Sequence, residues 1–532
     1  MKRIRWIAWV LALTMLLSGC SGLSFNELMS QLNAQMVTPF SQMEYARPDM
    51  EKMETALTQC VSAAETEKNK TALMEKVWAF YNLYNTFYTQ YSLANIYYYR
   101  DMTDTHWEEE YSFCMQNVGA VEAMLEEMFY ALAACPLKEE LEKDQAFGEG
   151  FFDAYTGEKV WDEEFLSLIE QESALEEQYY DLCAKAQEVE YYSEEYFAQY
   201  GEKMAYTFVD LIAVRQKIAK QAGYEDYPSF AYDFYHQRAY TPEQAEGYLE
   251  EIGEKLVSLY KKTETIGIED AGKACTQADM LAYGEKAAQA MGGTVAEAFQ
   301  VMKEKGLYDI TYSLKKYNGS FETYLTDYYA PFVFVSPSGF QSDKLTLVHE
   351  FGHFCNDYAS GNSPAGIDVA EVFSQGLEYL SLCYSDEDLS EMKMADGLRI
   401  YVEQAAYALF EHQVYDLEGE ALTVENVYAL YEKIGTRFGF DVWGWDCRDF
   451  VVIGHFFTDP MYIISYVMSN DAALQLYQME QKETGAGLAL YEKELATQQT
   501  EFLAFLKEAG LESPLAVGRL DKVKQTFEQV LG

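Results

Sequence analysis

Basic residues are scarce in this chain, with 39 Lys+Arg against 87 Asp+Glu and a net charge of −48. Such a surface repels phosphate and has no basic stripe, which excludes nucleic acid as a partner. Acidity on this scale otherwise speaks to solubility, not to fold. Proline is scarcer still, at ten in 532 residues, and none falls between Pro136 and Pro228, Pro242 and Pro331, or Pro364 and Pro460. Tracts that long without a helix breaker, carrying apolar residues at three- and four-residue spacing, predict a mostly α protein. The nine cysteines contain no Cys-x-x-Cys pair, which argues against a cysteine zinc site. No apolar run reaches the roughly 20 residues of a membrane span. Histidine numbers only six. What the chain does have is apolar bulk, 49% against 24% charged, a balance that excludes intrinsic disorder and collagen-like structure and supports a large core.

The N-terminus reads as an export address. Lys2, Arg3 and Arg5 precede the apolar run from Ile7 to Leu17, and Leu17-Ser18-Gly19-Cys20 follows. A basic start, a short apolar core and small residues at a cleavage site describe a signal peptide. The cysteine directly after Ser-Gly resembles a bacterial lipobox. The mature protein is therefore expected to begin at Cys20, to carry lipid there, and to sit outside the cytoplasm on the cell membrane. Export permits disulfides, yet the eight later cysteines are scattered and the chain is too large to need them.

Tyrosines cluster along the helical tracts. Tyr81, Tyr84, Tyr88 and Tyr91 share a helical face, and Tyr191, Tyr192, Tyr196 and Tyr200 form a second group. Packing between helices is the default reading of such stripes, and lining a substrate channel is the sharper one. One strand stands out, Pro331-Phe332-Val333-Phe334-Val335, closed by Ser336-Pro337-Ser338-Gly339.

The chemistry is concentrated just after that strand. Asp343 to Ala359 has a helical pattern containing His349-Glu350-Phe351-Gly352-His353. Residues at i and i+4 share a helix face, so both imidazoles can converge on one metal ion with Glu350 beside its water. Catalytic zinc normally has three protein ligands and an open position. No third histidine follows in a metal-binding arrangement, so a carboxylate is wanted. Glu371 and Glu378 lie seven apart on the next helical stretch, and spacing does not choose between them. Further on, His455, Tyr462 and Tyr466 offer hydrogen-bond donors of the kind that stabilise an oxyanion. His106, His236 and His412 show no partner signal and read as structural or surface residues.

The segment HEFGH followed by DVAEVFSQGLEY resembles the thimet oligopeptidase and oligoendopeptidase F family of gluzincin metallopeptidases. The stretch PFVFVSPSG to DKLTLVHEFGH is also similar, and the resemblance runs from about residue 200 to 480. It implies a large, mostly helical zincin-type fold with a small β element beside the active-site helix and a deep substrate cleft. It implies one zinc per chain, held by His349, His353 and Glu371, with Glu350 as general base. It implies that His455, Tyr462 and Tyr466 face the substrate carbonyl, and that the strand before the active helix is the edge along which a peptide lies. The gap between His353 and Glu371 is shorter than is usual in that family, and the tyrosines align with its motif only after a shift.

On this basis residues 1–19 are expected to be the signal peptide, 20–50 a tether, 51–200 helices that wall the cleft, and 201–532 the catalytic region. The expected activity is hydrolysis of short unfolded peptides. A metallocarboxypeptidase is the nearest alternative, and it needs a cation for the substrate's free carboxylate that the sequence does not announce. A non-catalytic peptide-binding lipoprotein is the alternative from a different class, and it is expected to have a broken metal set.

Overall fold

Long proline-free tracts become long helices. The computed structural model describes residues 36–144, 146–156, 162–186, 189–263, 273–361, 366–497 and 499–531. The signal segment, Cys20 and the first part of the expected tether lie outside them. Three N-terminal helices, α1 (Met50–Thr66), α2 (Lys70–Arg100) and α3 (Thr105–Ala133), each start at a short polar residue. Asp49, Asn69 and Asp104 accept hydrogen bonds from the first free backbone N–H groups of these helices, which satisfies donors the helix itself cannot. The three helices enclose their own core of residues such as Cys60, Phe80, Phe87 and Leu132.

The first tyrosine stripe closes the α2–α3 interface. Tyr84 donates to Glu122 at 2.8 Å, Tyr88 donates to the same oxygen, and the Tyr91 ring stacks on Tyr111 at 5.6 Å. These rings pack helix on helix, with their hydroxyls satisfied. The second group divides differently. Tyr191 and Tyr192 lie in a turn and are half exposed, and Tyr192 sits in the left-handed region at φ 61°.

Most of the remaining chain shares a larger core. It includes α4 (Glu163–Ala186) and α5 (Glu202–Gln221), which pack together. Residues 36–50 lie on this body. Val37 is buried, Thr38 N donates to Tyr328 O at 3.0 Å, and the Phe40 ring meets Phe332 at 4.5 Å.

A small sheet supports the site. β1 (Tyr308–Asp309), β2 (Phe321–Leu325) and β3 (Ala330–Phe334) are ordered β1-β3-β2, with β1 parallel and β2 antiparallel to β3. The expected strand is present, but it is not an edge. β3 is paired on both sides and every one of its residues is buried, so its backbone groups are already used by the ladder. The edge beside the active helix is β2, whose mixed sequence Phe-Glu-Thr-Tyr-Leu leaves four of five residues half-buried. Apolar continuity marked β3 as a strand because it is central, which is the position such a run favours.

From β3 the chain turns into α6 (Asp343–Ser360), followed by α7 (Ile367–Tyr384), α8 (Ser390–Arg399), α9 (Ala405–Val414) and α10 (Ile464–Lys482). Asp343 ties the turn to the helix start by accepting from Ser338 N, Gly339 N and Phe340 N at 2.9, 2.7 and 3.2 Å. α6 and α7 cross at Gly352. A Cβ there would lie 2.5 Å from Ser374 Cα and 2.6 Å from Phe373 O, so only glycine permits this approach. Among the described residues no helix is long and apolar enough to cross a membrane, and the eight cysteines from Cys60 to Cys447 are unpaired.

Candidate metal centre

The crossing at Gly352 brings Glu371 of α7 against the two histidines of α6. His349 Nε2 lies 3.4 Å from Glu371 Oε2, and His353 Nε2 lies 3.6 Å from Glu371 Oε1. One ligand atom from each of the three residues falls within 4.8 Å of the others. Two neutral imidazole nitrogens and one carboxylate oxygen suit a zinc ion with an open fourth position. Glu371 is 1% exposed and is held by two further groups. Tyr462 donates to its Oε1 at 2.5 Å and Ser374 donates to its Oε2 at 2.9 Å. Burial alone raises a carboxyl pKa, but the two histidines and the Tyr462 bond outweigh it and hold Glu371 down at about 2.

Glu378, the other candidate, reaches the same histidine from behind. Its Oε1 lies 2.9 Å from His349 Nδ1, which turns Nε2 toward Glu371. A carboxylate on the far nitrogen fixes the tautomer and orientation of a metal-binding imidazole. Burial lowers the His349 pKa, but the Glu378 bond and the Glu371 charge win and raise it to about 9. Glu378 is itself held by buried Lys393, whose Nζ lies 2.7 Å from Oε2. Lys393 carries no sequence signal; its role exists only through α8 packing against α7.

Glu350 is buried beside the two histidines, and burial pushes its pKa up against the pull of His349 and His353. A carboxylate poised above its usual range is a better proton acceptor near neutral pH. On the His349 side of the centre opens a cleft of about 660 Å³ lined by His349, Gln375, Glu378 and Tyr466.

The His455 segment reaches the same cleft, in an arrangement the sequence does not anticipate. His455 occupies a separate short helix, Gly454–Thr458, and α10 begins only at Ile464. Tyr462 and Tyr466 are therefore not two turns of one helix. Pro460 interrupts the helix and Met461 adopts φ 64°, a strained value for a side chain of that size. The turn is nevertheless pinned. Met461 N donates to Glu411 at 3.0 Å, and Met461 O accepts from Arg238 at 2.8 Å. His236 Nε2 lies 3.0 Å from Pro460 O. The result sends the two tyrosines to different partners. Tyr462 stacks on the His455 ring at 5.0 Å and spends its hydroxyl on Glu371, while the Tyr466 hydroxyl lies 3.1 Å from His455 Nε2 and lines the cleft.

Arg238 and Asp368 are further site residues to which the sequence motifs assign no role. Buried Arg238 donates to Asp368, to Met461 O and to Ser465 Oγ, at 3.1, 2.8 and 2.7 Å. Asp368 lies one turn before Glu371, so this guanidinium joins the glutamate helix to the tyrosine segment. Burial pushes His412 down to about 3 and His236 down to about 4, so both are neutral near pH 7. His412 bonds Tyr232 at 2.8 Å, and His106 is exposed beside Glu110.

Comparison with known proteins follows the same line. Residues 40–158 match the Peptidase M3 N-terminal domain, the region in which the sequence shows no catalytic motif. The chain is 27% identical over 268 residues to oligopeptidase PepF of Bacillus subtilis (strain 168). That match covers 46% of this chain and 39% of the relative, so well under half of the curated protein is spanned. Among solved structures, one assigned as an oligoendopeptidase F superposes with a TM-score of 0.81 at 20% identity, covering 93% of this chain and 98% of that one. PZ peptidase A with an inhibitor gives 0.80 at 20% identity, covering 92% and 99%. The fold is that of these oligopeptidases, and the resemblance read from the motif residues is borne out.

Proposed function

We propose that the chain is a zinc-dependent oligoendopeptidase that hydrolyses short unfolded peptides and is anchored outside the cytoplasm by lipid on Cys20. The convergence of His349, His353 and Glu371 beside buried Glu350 carries this reading. Zinc held by those three residues supplies Lewis acidity, polarising the scissile carbonyl and acidifying a water. Glu350 accepts the proton of the attacking water and returns it to the leaving amine. Tyr466, backed by His455, donates to the carbonyl oxygen as it gains charge. Tyr462 holds Glu371 in place. The β2 edge offers backbone groups to an extended peptide. A channel that accepts one extended strand rejects a folded domain, which would first have to unfold against roughly 5–15 kcal/mol.

A carboxypeptidase reading finds a cation in the cleft, Arg399, but that guanidinium is already paired with Asp396 at 3.2 Å and faces Glu403 at 3.8 Å. The intact metal set counts against a non-catalytic carrier.

The test is digestion of a mixed-length peptide library by zinc-loaded protein, with and without chelator, analysed by mass spectrometry. Internal cleavage of peptides of about ten residues, lost on chelation and restored by zinc, is expected. Equal cleavage of the same sequence inside a stable folded domain overturns the channel, and chelator-resistant cleavage overturns the zinc. Labelled fatty acid should enter the wild-type chain in a bacterial host but not a Cys20→Ser variant; no label in either overturns the anchor.

A further inference from the structure

The Tyr466 hydroxyl has one proton, and the state of His455 decides where that proton points. His455 Nε2 lies 3.1 Å from the Tyr466 oxygen. A neutral imidazole with its proton on Nδ1 leaves Nε2 bare, and a bare Nε2 accepts the hydroxyl proton. The hydroxyl then has nothing to give a substrate carbonyl. With a proton on Nε2 the bond runs the other way. The ring donates to the tyrosine oxygen, and the hydroxyl proton is free for the cleft that Tyr466 lines.

The other ring nitrogen shows which form the surroundings favour. His455 Nδ1 is buried and, among the described residues, makes no hydrogen bond. A buried polar atom left in this way calls for a partner. The Asp459 carboxylate stands 3.5 Å from it, four residues on. That separation is an ion pair and not a formed hydrogen bond, and catalytic bonds of this kind tighten when substrate fills the site. Asp459 is held ready to receive it. Its backbone N–H donates to His455 O at 3.0 Å, and the Thr458 hydroxyl donates to its Oδ2 at 2.7 Å. Its side chain is 54% exposed, so the carboxylate is free to turn toward the ring.

The other groups facing His455 do not supply that charge. Tyr462 stacks on the ring, and burial raises the pKa of both Tyr462 and Tyr466 well above the usual phenol value, so both keep their protons. Burial pushes Glu411 of α9 up to about 8, which leaves it mostly neutral near pH 7. Glu371 of α7 faces the two metal-binding histidines. Arg215 of α5 donates to Phe456 O at 2.8 Å and is balanced by Glu172 at 2.6 Å and Glu176 at 3.4 Å, both on α4. Burial lowers the His455 pKa, but the Asp459 bond and charge lead the groups that turn the net shift upward. Burial likewise raises the Asp459 pKa, and the His455 and Thr458 bonds turn its net shift downward.

We propose that Asp459 is a positioning residue of this site: it keeps a proton on both nitrogens of His455, so that Nε2–H donates to the Tyr466 oxygen and the Tyr466 proton is left for the substrate carbonyl. The inference rests on the peptidase reading for the reaction it serves. Activity should fall as pH rises through the His455 pKa. The neutral ring keeps Nδ1–H against the carboxylate, as the partner of one nitrogen fixes the state of the other, and the hydroxyl proton turns inward.

The experiment follows zinc-loaded protein with labelled histidine by NMR, and kcat for one peptide, from about pH 5 to 10. The His455 signal is the one lost in His455→Gln. It should titrate above the usual imidazole value of about 6.5, and the alkaline limb of kcat should fall at the same pH. Asp459→Ala should move both down by about one unit or more, the effect of removing an opposite charge at this range, with KM and zinc content little changed. A merely structural role would not move titration and limb together. Asp459→Asn should lower the titration equally yet lose less rate at high pH, because its amide N–H can donate to Nδ1 and leave the proton on Nε2. It still accepts from the Thr458 hydroxyl, and its titration serves if the alanine variant does not fold. A His455 titration unchanged in both variants overturns the pairing. A titration that moves in Asp459→Ala while the alkaline limb stays overturns the control of Tyr466. The two readings fail separately: no cleavage of any peptide while His455 shifts as expected removes the peptidase alone, and cleavage with an unshifted His455 removes the role of Asp459 alone.

Discussion

Glu378 grips His349 through Nδ1 at 2.9 Å, and this contact leaves Glu371 alone on the Nε2 side of that imidazole. Glu371 presents its carboxylate to the Nε2 side of both histidines, while Glu378 stays behind one of them. The two substitutions should therefore differ. Glu371→Ala removes a ligand and should abolish stoichiometric zinc binding. Glu378→Gln should keep one zinc per chain and weaken it by about 10–100-fold, the usual loss when a ligand's orienting partner is removed. Metal analysis with a competing chelator checks both, and the reverse order would make Glu378 the ligand.

Zinc affinity should rise with pH across the neutral range. Without metal, His349 titrates at about 9, so at pH 7 it carries a proton that zinc must displace. Below that pKa each pH unit should raise affinity up to about tenfold from this group alone, and its contribution should level off above about 9. Glu378→Gln takes away the group that raises the pKa, so the levelling-off should move to lower pH. Competition titrations between pH 6 and 10 read this directly; an affinity independent of pH would contradict it.

Tyr466 and Tyr462 should separate by kinetic signature. Tyr466→Phe removes the donor facing the cleft and should lower kcat by about 10²–10³-fold with little change in zinc binding. Tyr462→Phe loosens Glu371, so its effect should show in zinc affinity as well as in rate. Steady-state kinetics beside zinc titration distinguishes them, and a larger kcat loss from Tyr462→Phe without loss of zinc would exchange their roles.

Arg238 holds Asp368 and Met461 together from a fully buried position. Arg238→Met leaves the Asp368 carboxylate without its cation, a change that typically costs about 3–5 kcal/mol. Arg238→Met with Asp368→Asn should recover much of the stability but not the rate, because Met461 O still lacks its donor. Melting curves and kcat of the single and double variants check this; full recovery of rate would show that the clamp on Met461 is unnecessary.

What the sequence made legible follows from how local each signal is. His349, Glu350 and His353 lie within five residues of one helix, so i,i+4 geometry alone brings them together. Glu371 and Glu378 share a face and differ only in which side of His349 each reaches, a fact of helix crossing at Gly352 and not of spacing. Tyr462 and Tyr466, four apart, have the spacing of one helix, whereas the chain turns just before them at a strained Met461 held by Glu411 and Arg238. β3 was visible because it is fully buried, and β2 was not because a half-buried strand of mixed composition carries little pattern. Lys393 left no trace, since a lone basic residue looks alike in sequence whether it is solvated or buried against a carboxylate, and Arg238 lies in a stretch with only a weak family-like pattern that assigns it no role.

In the proposed reaction Glu350 moves the proton of a zinc-dependent cleavage. The most direct measurement is single-turnover hydrolysis of one peptide by the Glu350→Gln protein, with its zinc content determined on the same sample. One zinc per chain and a rate lowered by at least about 10²-fold are expected, because the amide cannot accept the water's proton. Full zinc occupancy with a rate within about a tenth of wild type would contradict it, since a general base typically contributes about 10²–10⁴-fold.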